Sequence, residues 1–161
     1  MNKGTSYLLV SLIVFISSCE IVTKHDFFIP QNFTGQVAIV YDSQNGIDPP
    51  VKNGRKQYII PDSGIFFSKE HFQSGTLDDK FYTRNNDSSV KELSFYQYQK
   101  DSTKNYIHFD RIENIVCATD DKKTKSFFIR FFYVGAKWDS ASDQKRFFFT
   151  KRVRQLCGCV D

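Results

Sequence analysis

The chain reads as a mainly β protein: a small antiparallel β-sandwich-like domain with a C-terminal helix. Three observations predict this. Short runs of β-branched and aromatic residues recur, each bounded by Gly, Pro, Asn or Asp turn chemistry. Aromatic content is high, with 17 Phe and 8 Tyr against one Trp and one Met, and flat rings suit a pleated, half-buried surface. Near the end the pattern changes, and Phe149, Val153 and Leu156 recur at helical spacing.

Taken in order, residues 27–30 (FFIP) form a short apolar strand stopped by proline. Asn32-Phe33-Thr34-Gly35 makes a turn, and residues 36–41 (QVAIVY) make a strand rich in β-branched residues. Asp42-Ser43-Gln44-Asn45-Gly46 is a turn cluster centred on Asn-Gly, where positive φ costs least. Pro49 and Pro50 keep the next stretch extended. Strands follow at residues 55–60 (RKQYII), before Pro61-Asp62-Ser63-Gly64, and at 65–67 (IFF).

Residues 68–105 are polar, with exposed turns expected at Asp78-Asp79-Lys80, at 84–89 and at 100–104, and strands at 81–82 and 93–98. Strands at 106–109 and 112–117 come next. Residues 126–134 (SFFIRFFYV) are apolar on both faces except at Arg130, which predicts a central, covered strand. Gly135 ends it. A helix then carries a basic face of Lys145, Arg146, Lys151, Arg152 and Arg154, with Ser142 as its cap, although residues 144–151 (QKRFFFTK) also fit a strand.

The start of the chain has a different character. Lys3 precedes an apolar run over residues 7–16 (YLLVSLIVFI), then Ser17, Ser18 and Cys19. The run has the length of a secretory signal core, about 7–15 residues, and falls short of the roughly 20 a spanning helix requires. The pattern resembles the lipobox of bacterial lipoproteins. That resemblance implies cleavage before Cys19 and acylation of its thiol and amino group, with membrane lipid as the partner. The expected organisation is a signal peptide over 1–18, a lipidated tether over 19–26 and a single β-rich domain over 27–161.

Residues 28–37 (FIPQNFTGQV) and 58–65 (YIIPDSGI) carry a second resemblance. They are similar to a family of small uncharacterised cell-envelope lipoproteins of Bacteroidetes-type bacteria, whose F-I-P-x-x-[FY]-T-G opening leads into a strand and an I-P-x-x-G-I step. Membership implies export, lipidation and a β-rich domain, with no catalytic residues to carry over. Asp139-Ser140-Ala141 and Asp101-Ser102-Thr103 resemble the O-glycosylation sites of exported proteins in such bacteria, which makes Ser140 and Ser102 candidate glycan positions.

With Cys19 assigned to lipid, Cys117, Cys157 and Cys159 remain. An oxidising envelope permits disulfides, and Cys117 to Cys157 or Cys159 is the preferred bridge. A Cys157–Cys159 bond would be strained and hence redox-active. No Zn-helix motif, P-loop, nucleophile elbow or dinucleotide glycine pattern occurs. His25, His71 and His108 are scattered, and no metal or cofactor is expected. Residues 42–48 have a faint calcium-loop pattern without its closing Glu. Glu70, Asp78 and Asp79 are the carboxylates to consider for acid–base work, and Tyr82, Tyr96, Tyr98 and Trp138 are candidates for stacking on sugars or peptides. A net charge of +4 is too small for a nucleic-acid footprint. The expected protein is a lipid-anchored envelope lipoprotein, the outer membrane being the favoured site. It acts as a non-enzymatic binding module for a protein or glycan partner; the alternatives are thiol-redox chemistry at Cys157 and Cys159, or a structural accessory of an outer-membrane complex.

Overall fold

The computed structural model describes residues 22–85, 87, 89–96, 103–138 and 140–160. Among these, the chain runs β1 (Val22–Pro30), β2 (Gly35–Val40), β3 (Val51–Lys52), β4 (Arg55–Ile59), β5 (Ile65–Phe67), β6 (Thr76–Arg84), β7 (Val90–Leu93), β8 (Tyr106–Ala118), β9 (Thr124–Gly135) and α1 (Ser140–Leu156). One sheet has the order β3-β4-β1-β6-β7 and the other β5-β2-β9-β8. The sandwich and the terminal helix are as the sequence predicts. The pairing, however, is mixed: β1 lies parallel to both β4 and β6, and β2 parallel to β5. The cause lies in the path of the chain, which alternates between the sheets. Strands of one sheet are therefore separated by an excursion to the other and return in the same direction, which a tight hairpin cannot allow.

Alternation along the strands sorts side chains into two cores. Between the sheets, Phe27, Ile29, Tyr58 and Phe81 meet Val37, Ile39, Phe132 and Val134. Phe27 stacks on Tyr58 at 5.0 Å and on Phe81 at 4.9 Å, with the edge of Phe132 at 5.7 Å. On the outer face of the second sheet, Ala38, Val40, Phe127, Ile129 and Phe131 pack under α1 through Val153 and Phe149. Strand β9 is thus covered on both sides, as its apolar run predicts.

Several local expectations give way. Residues 22–26, expected in the tether, form the first half of β1. Thr23 and His25 face inward and Lys24 outward, continuing the alternation of Phe27 and Ile29. The inward residues are polar, so composition concealed the strand. Asp78-Asp79-Lys80 lies inside β6 rather than in a turn. Positive φ falls at Asn53 and Gly54, the two-residue loop of the β3–β4 hairpin, and not at Asn45-Gly46. Gly46 is needed for a different reason: a Cβ there would stand 2.6 Å from the backbone of Ser68. The two strands expected over 106–117 are one, broken by a bulge after His108. Of the strand expected over 93–98, Phe95 makes only an isolated bridge to Ile107.

In α1, Ser142, Phe149, Val153 and then Cys157 follow a helical stripe facing the sheet. Ser142 sits within the first turn rather than at the cap, and Leu156, expected inward, is 54% exposed. A disulfide joins Cys117, near the end of β8, to Cys159 beyond α1, with Cα atoms 5.5 Å apart. It fastens the end of the helix to the sheet, and Val160 N–H donates to the Ala118 carbonyl beside it at 3.0 Å. Closing a loop of 42 residues is worth about 4 kcal/mol by chain entropy. The double variant Cys117→Ser/Cys159→Ser is therefore expected to lose roughly 2–4 kcal/mol in urea unfolding, with no change in far-UV circular dichroism at pH 7.

Candidate functional site

Two clusters of polar side chains stand out, one between the sheets and one on the outer face of the first sheet. The inner cluster centres on Arg130, which β9 carries into the sandwich at 1% exposure. Its Nε donates to Asp110 at 2.7 Å and its Nη2 reaches both Asp110 and Asp79, the latter at 2.6 Å. The guanidinium lies 4.8 Å from the centre of the Phe27 ring and 5.8 Å from that of Phe81. Asp110 arrives through the β8 bulge. Phe109 takes a left-handed φ of 51°, and the irregularity between His108 and Arg111 turns the carboxylate inward. Asp79 also accepts from His25 Nδ1 at 2.8 Å.

Burial works against both charges, and the pairing overcomes it. Desolvation would raise the Asp79 carboxyl, but the His25 hydrogen bond and the Arg130 charge hold it below the usual carboxylate range. Desolvation likewise opposes the Arg130 cation, and Asp110 and Asp79 raise its pKa in spite of it. A neighbouring group joins Tyr58, which donates to Glu70, with Lys56 paired to the same carboxylate. Burial pushes the Tyr41 hydroxyl up to about 12.

The outer face is built by register. Phe28 sits between Ile59 and Tyr82, and Asp26 between Gln57 and Lys80. The first row is an apolar strip in which Phe28 and Tyr82 stack at 5.4 Å; the second is a hydrogen-bonding strip beside it. Arg55 braces the base with four contacts: Asp26 at 2.5 Å, Asp78 at 2.8 Å, and the carbonyls of His25 and Asp78, both at 2.8 Å. Asp26, Phe28, Arg55, Gln57, Ile59 and Tyr82 are among the residues that line a groove of about 630 Å³. Such a strip offers ring faces for stacking, with amide, guanidinium and carboxylate groups beside them for orientation.

Of the residues singled out from the sequence, Tyr82 belongs to this groove. Tyr96 stacks on His108 at 4.7 Å, and Trp138 leans on Phe109 at 4.6 Å; Tyr98 lies outside the described residues. Glu70, Asp78 and Asp79 are not brought together as a catalytic set, because each serves a different base. Asp42 accepts from His71 at 2.7 Å, so the faint calcium loop is a turn. Among the described residues no group of three potential ligands is placed to hold a metal ion. Cys117 pairs with Cys159, which leaves Cys157 a buried thiol whose pKa burial pushes up to about 11. Cys19 and Ser102 lie outside the described residues, and Ser140 opens α1. Phe28, Gln57, Arg55 and Ile59 were not singled out from the sequence. Their shared face depends on parallel neighbours that no turn motif announces.

A family model described as a family of unknown function (DUF6843) matches residues 22–138. No curated protein matches the chain. Among solved structures, the fold resembles a Bacillus anthracis crystal structure named "Putative Lipoprotein", at 13% identity and a TM-score of 0.55, over 84% of this chain and 96% of that one.

The inner cluster sets a pH dependence. Asp79→Asn is expected to cost roughly 3 kcal/mol in urea unfolding at pH 7, because Arg130 loses half of its compensation. The carboxyl is depressed in the folded state, so its stabilisation is fully present above the unfolded value of about 4 and fades as pH falls below it. The gap between variant and wild type should therefore narrow on acidification from pH 5 to pH 2. Cys157 makes a second expectation: in a Cys19→Ser chain, an aromatic disulfide reagent at pH 8 should leave it unmodified in the native protein and titrate one thiol after unfolding without reductant.

Proposed function

The chain belongs to the DUF6843 family of unknown function over residues 22–138, and on that premise we propose a lipid-anchored lipoprotein of the cell envelope whose sandwich is a non-enzymatic binding module. The groove on the outer face of the first sheet carries the binding part of this reading. Five strands contribute to it, and Arg55 holds its base without consuming the apolar strip. A sugar ring or an extended polymer fits a flat strip of Ile59, Phe28 and Tyr82 with Gln57 and Asp26 alongside.

Anchoring is supported by the Ile16-Ser17-Ser18-Cys19 sequence and by the name of the Bacillus anthracis structure. It is supported also by β1, which begins at Val22, three residues after Cys19. Binding is favoured over catalysis because each carboxylate considered for acid–base work is engaged: Asp79 by Arg130, Asp78 by Arg55, Glu70 by Lys56. The buried thiol of Cys157, with its raised pKa, favours binding over thiol-redox chemistry as well. The outer membrane is the proposed location, and an accessory role there would differ from this reading only in the partner.

Metabolic labelling with an alkyne palmitate analogue tests the anchor. The wild type should be labelled and recovered with outer membranes on a density gradient, and Cys19→Ala should be neither. Equal labelling of the two would sink the proposal. For the groove, Tyr82→Ala combined with Ile59→Arg should abolish photo-crosslinks to the envelope partner while leaving the unfolding midpoint within about 1 kcal/mol of wild type.

A further inference from the structure

The strands give the molecule two distinct ends. His25 and Asp79 lie level with Arg130, and Phe27 with Phe132, so β1 runs in the same direction as β9 and Val22 lies at the Thr124 end. Helix α1 runs back along the outer face of the second sheet and delivers Cys159 to Cys117 at that same end. The start of the domain, the β8–β9 turn and the end of the helix therefore sit together.

This end collects exposed aliphatic side chains. Val22 is 45% exposed, Ile47 62%, Val116 58%, Leu156 54% and Val160 42%. Exposed Lys69, Lys122, Lys125 and Arg152 stand among them. Among the described residues the local acids Glu70 and Asp121 pair with Lys56 and Lys123, and Asp42 with His71; Asp48 and Asp120 remain, and the sequence sets Glu20 and Asp161 beside Val22 and Val160. The opposite end exposes aromatic rings instead: Phe95, Tyr96 and Phe109.

We propose that the end carrying Val22, Ile47, Leu156 and Val160 rests on an anionic phospholipid surface, so that the sandwich stands upright with its strands pointing away from the bilayer. The proposal rests on acylation at Cys19 and deepens that reading. Chain length argues against a domain lying on α1. Cys19 lies three residues before Val22, and fully extended those three steps reach about 11 Å. A domain lying on α1 would set β1 behind a second sheet and a helix. Each of those layers is about 10 Å thick, so Cys19 could not reach the acyl region from there. Upright, the same three residues suffice. Aliphatic side chains then meet the interface, where apolar burial and attraction between cations and anionic lipid act together.

The test uses the full chain purified from a lipidating host and reconstituted into vesicles of phosphatidylethanolamine and phosphatidylglycerol with brominated acyl chains. Trp138 is the chain's single tryptophan and lies at the far end, so it reports on an upright domain directly. Its emission should fall by less than about a tenth. In a Trp138→Phe background, Leu156→Trp should lose at least about half of its emission, and less when phosphatidylcholine replaces both lipids. Position 156 is exposed, so the substitution leaves the core intact. Intact mass is measured on the same samples. A mass without acyl chains overturns the anchor and the upright domain together. An acylated protein in which Trp138 is quenched and Leu156→Trp is not overturns the orientation alone. Equal quenching of Leu156→Trp in both vesicle types overturns the role of the cations.

Discussion

The guanidinium of Arg130 lies between two β-sheets at 1% exposure, and much of the strand geometry around it follows from what that charge requires. Removing such a cation from water costs several kcal/mol even after relaxation. The structure meets this with two carboxylates and two aromatic faces, drawn from three strands. Asp79 comes from β6, Asp110 from the bulge in β8, and the rings of Phe27 and Phe81 from β1 and β6. A one-residue slip of any of these strands would turn its contribution to the opposite face. Well-packed apolar side chains would often serve stability equally well or better. The ion cluster adds alignment, since Asp79 and Asp110 reach Arg130 only when the two sheets meet in one register.

That cluster also explains which parts of the fold were legible in the sequence. Strand β9 was, because both of its faces are apolar and Arg130 interrupts only one of them. The helix was legible through Phe149 and Val153, although Leu156 turned out to face water. What escaped was the polar lining. Thr23 and His25 face inward, yet a polar start to a strand reads as a tether. Asp78-Asp79-Lys80 reads as a turn by composition, whereas its middle residue is the partner that Arg130 needs. Local pattern assigns charge to solvent, and only the long-range pairing of residues 79, 110 and 130 reverses that assignment. The bulge at Phe109 is invisible for the same reason, because its purpose lies on another strand.

The groove was legible in one residue, Tyr82. Its other members are ordinary strand residues, and they form a strip only because β1 lies between parallel neighbours β4 and β6. Parallel pairing between residues 31 and 54 apart leaves no turn signature, so the sequence suggested antiparallel neighbours. The bridge joins Cys117 to one member of the C-x-C pair. The choice of Cys159 over Cys157 depends on where α1 ends, which spacing alone does not determine.

An upright domain gives the groove a height. Phe28 lies six residues along β1 from Val22, which at about 3.3 Å per residue puts the apolar strip roughly 20 Å above the anchored end. The strips cross the strands, so in this posture they run parallel to the membrane plane. The row of Gln57, Asp26 and Lys80 faces the bilayer side, and the row of Ile59, Phe28 and Tyr82 lies above it. Lipid head groups occupy only the few ångströms beyond the acyl chains, and so lie well below either row. In that proposed posture bilayer lipid would lie below the groove. A chain running alongside the membrane, a polysaccharide or an extended polypeptide, would meet both strips at once. On the proposed posture the exposed aliphatics at the base and the stacked aromatics above it would have separate tasks, because the short tether that brings one to lipid would hold the other away from it.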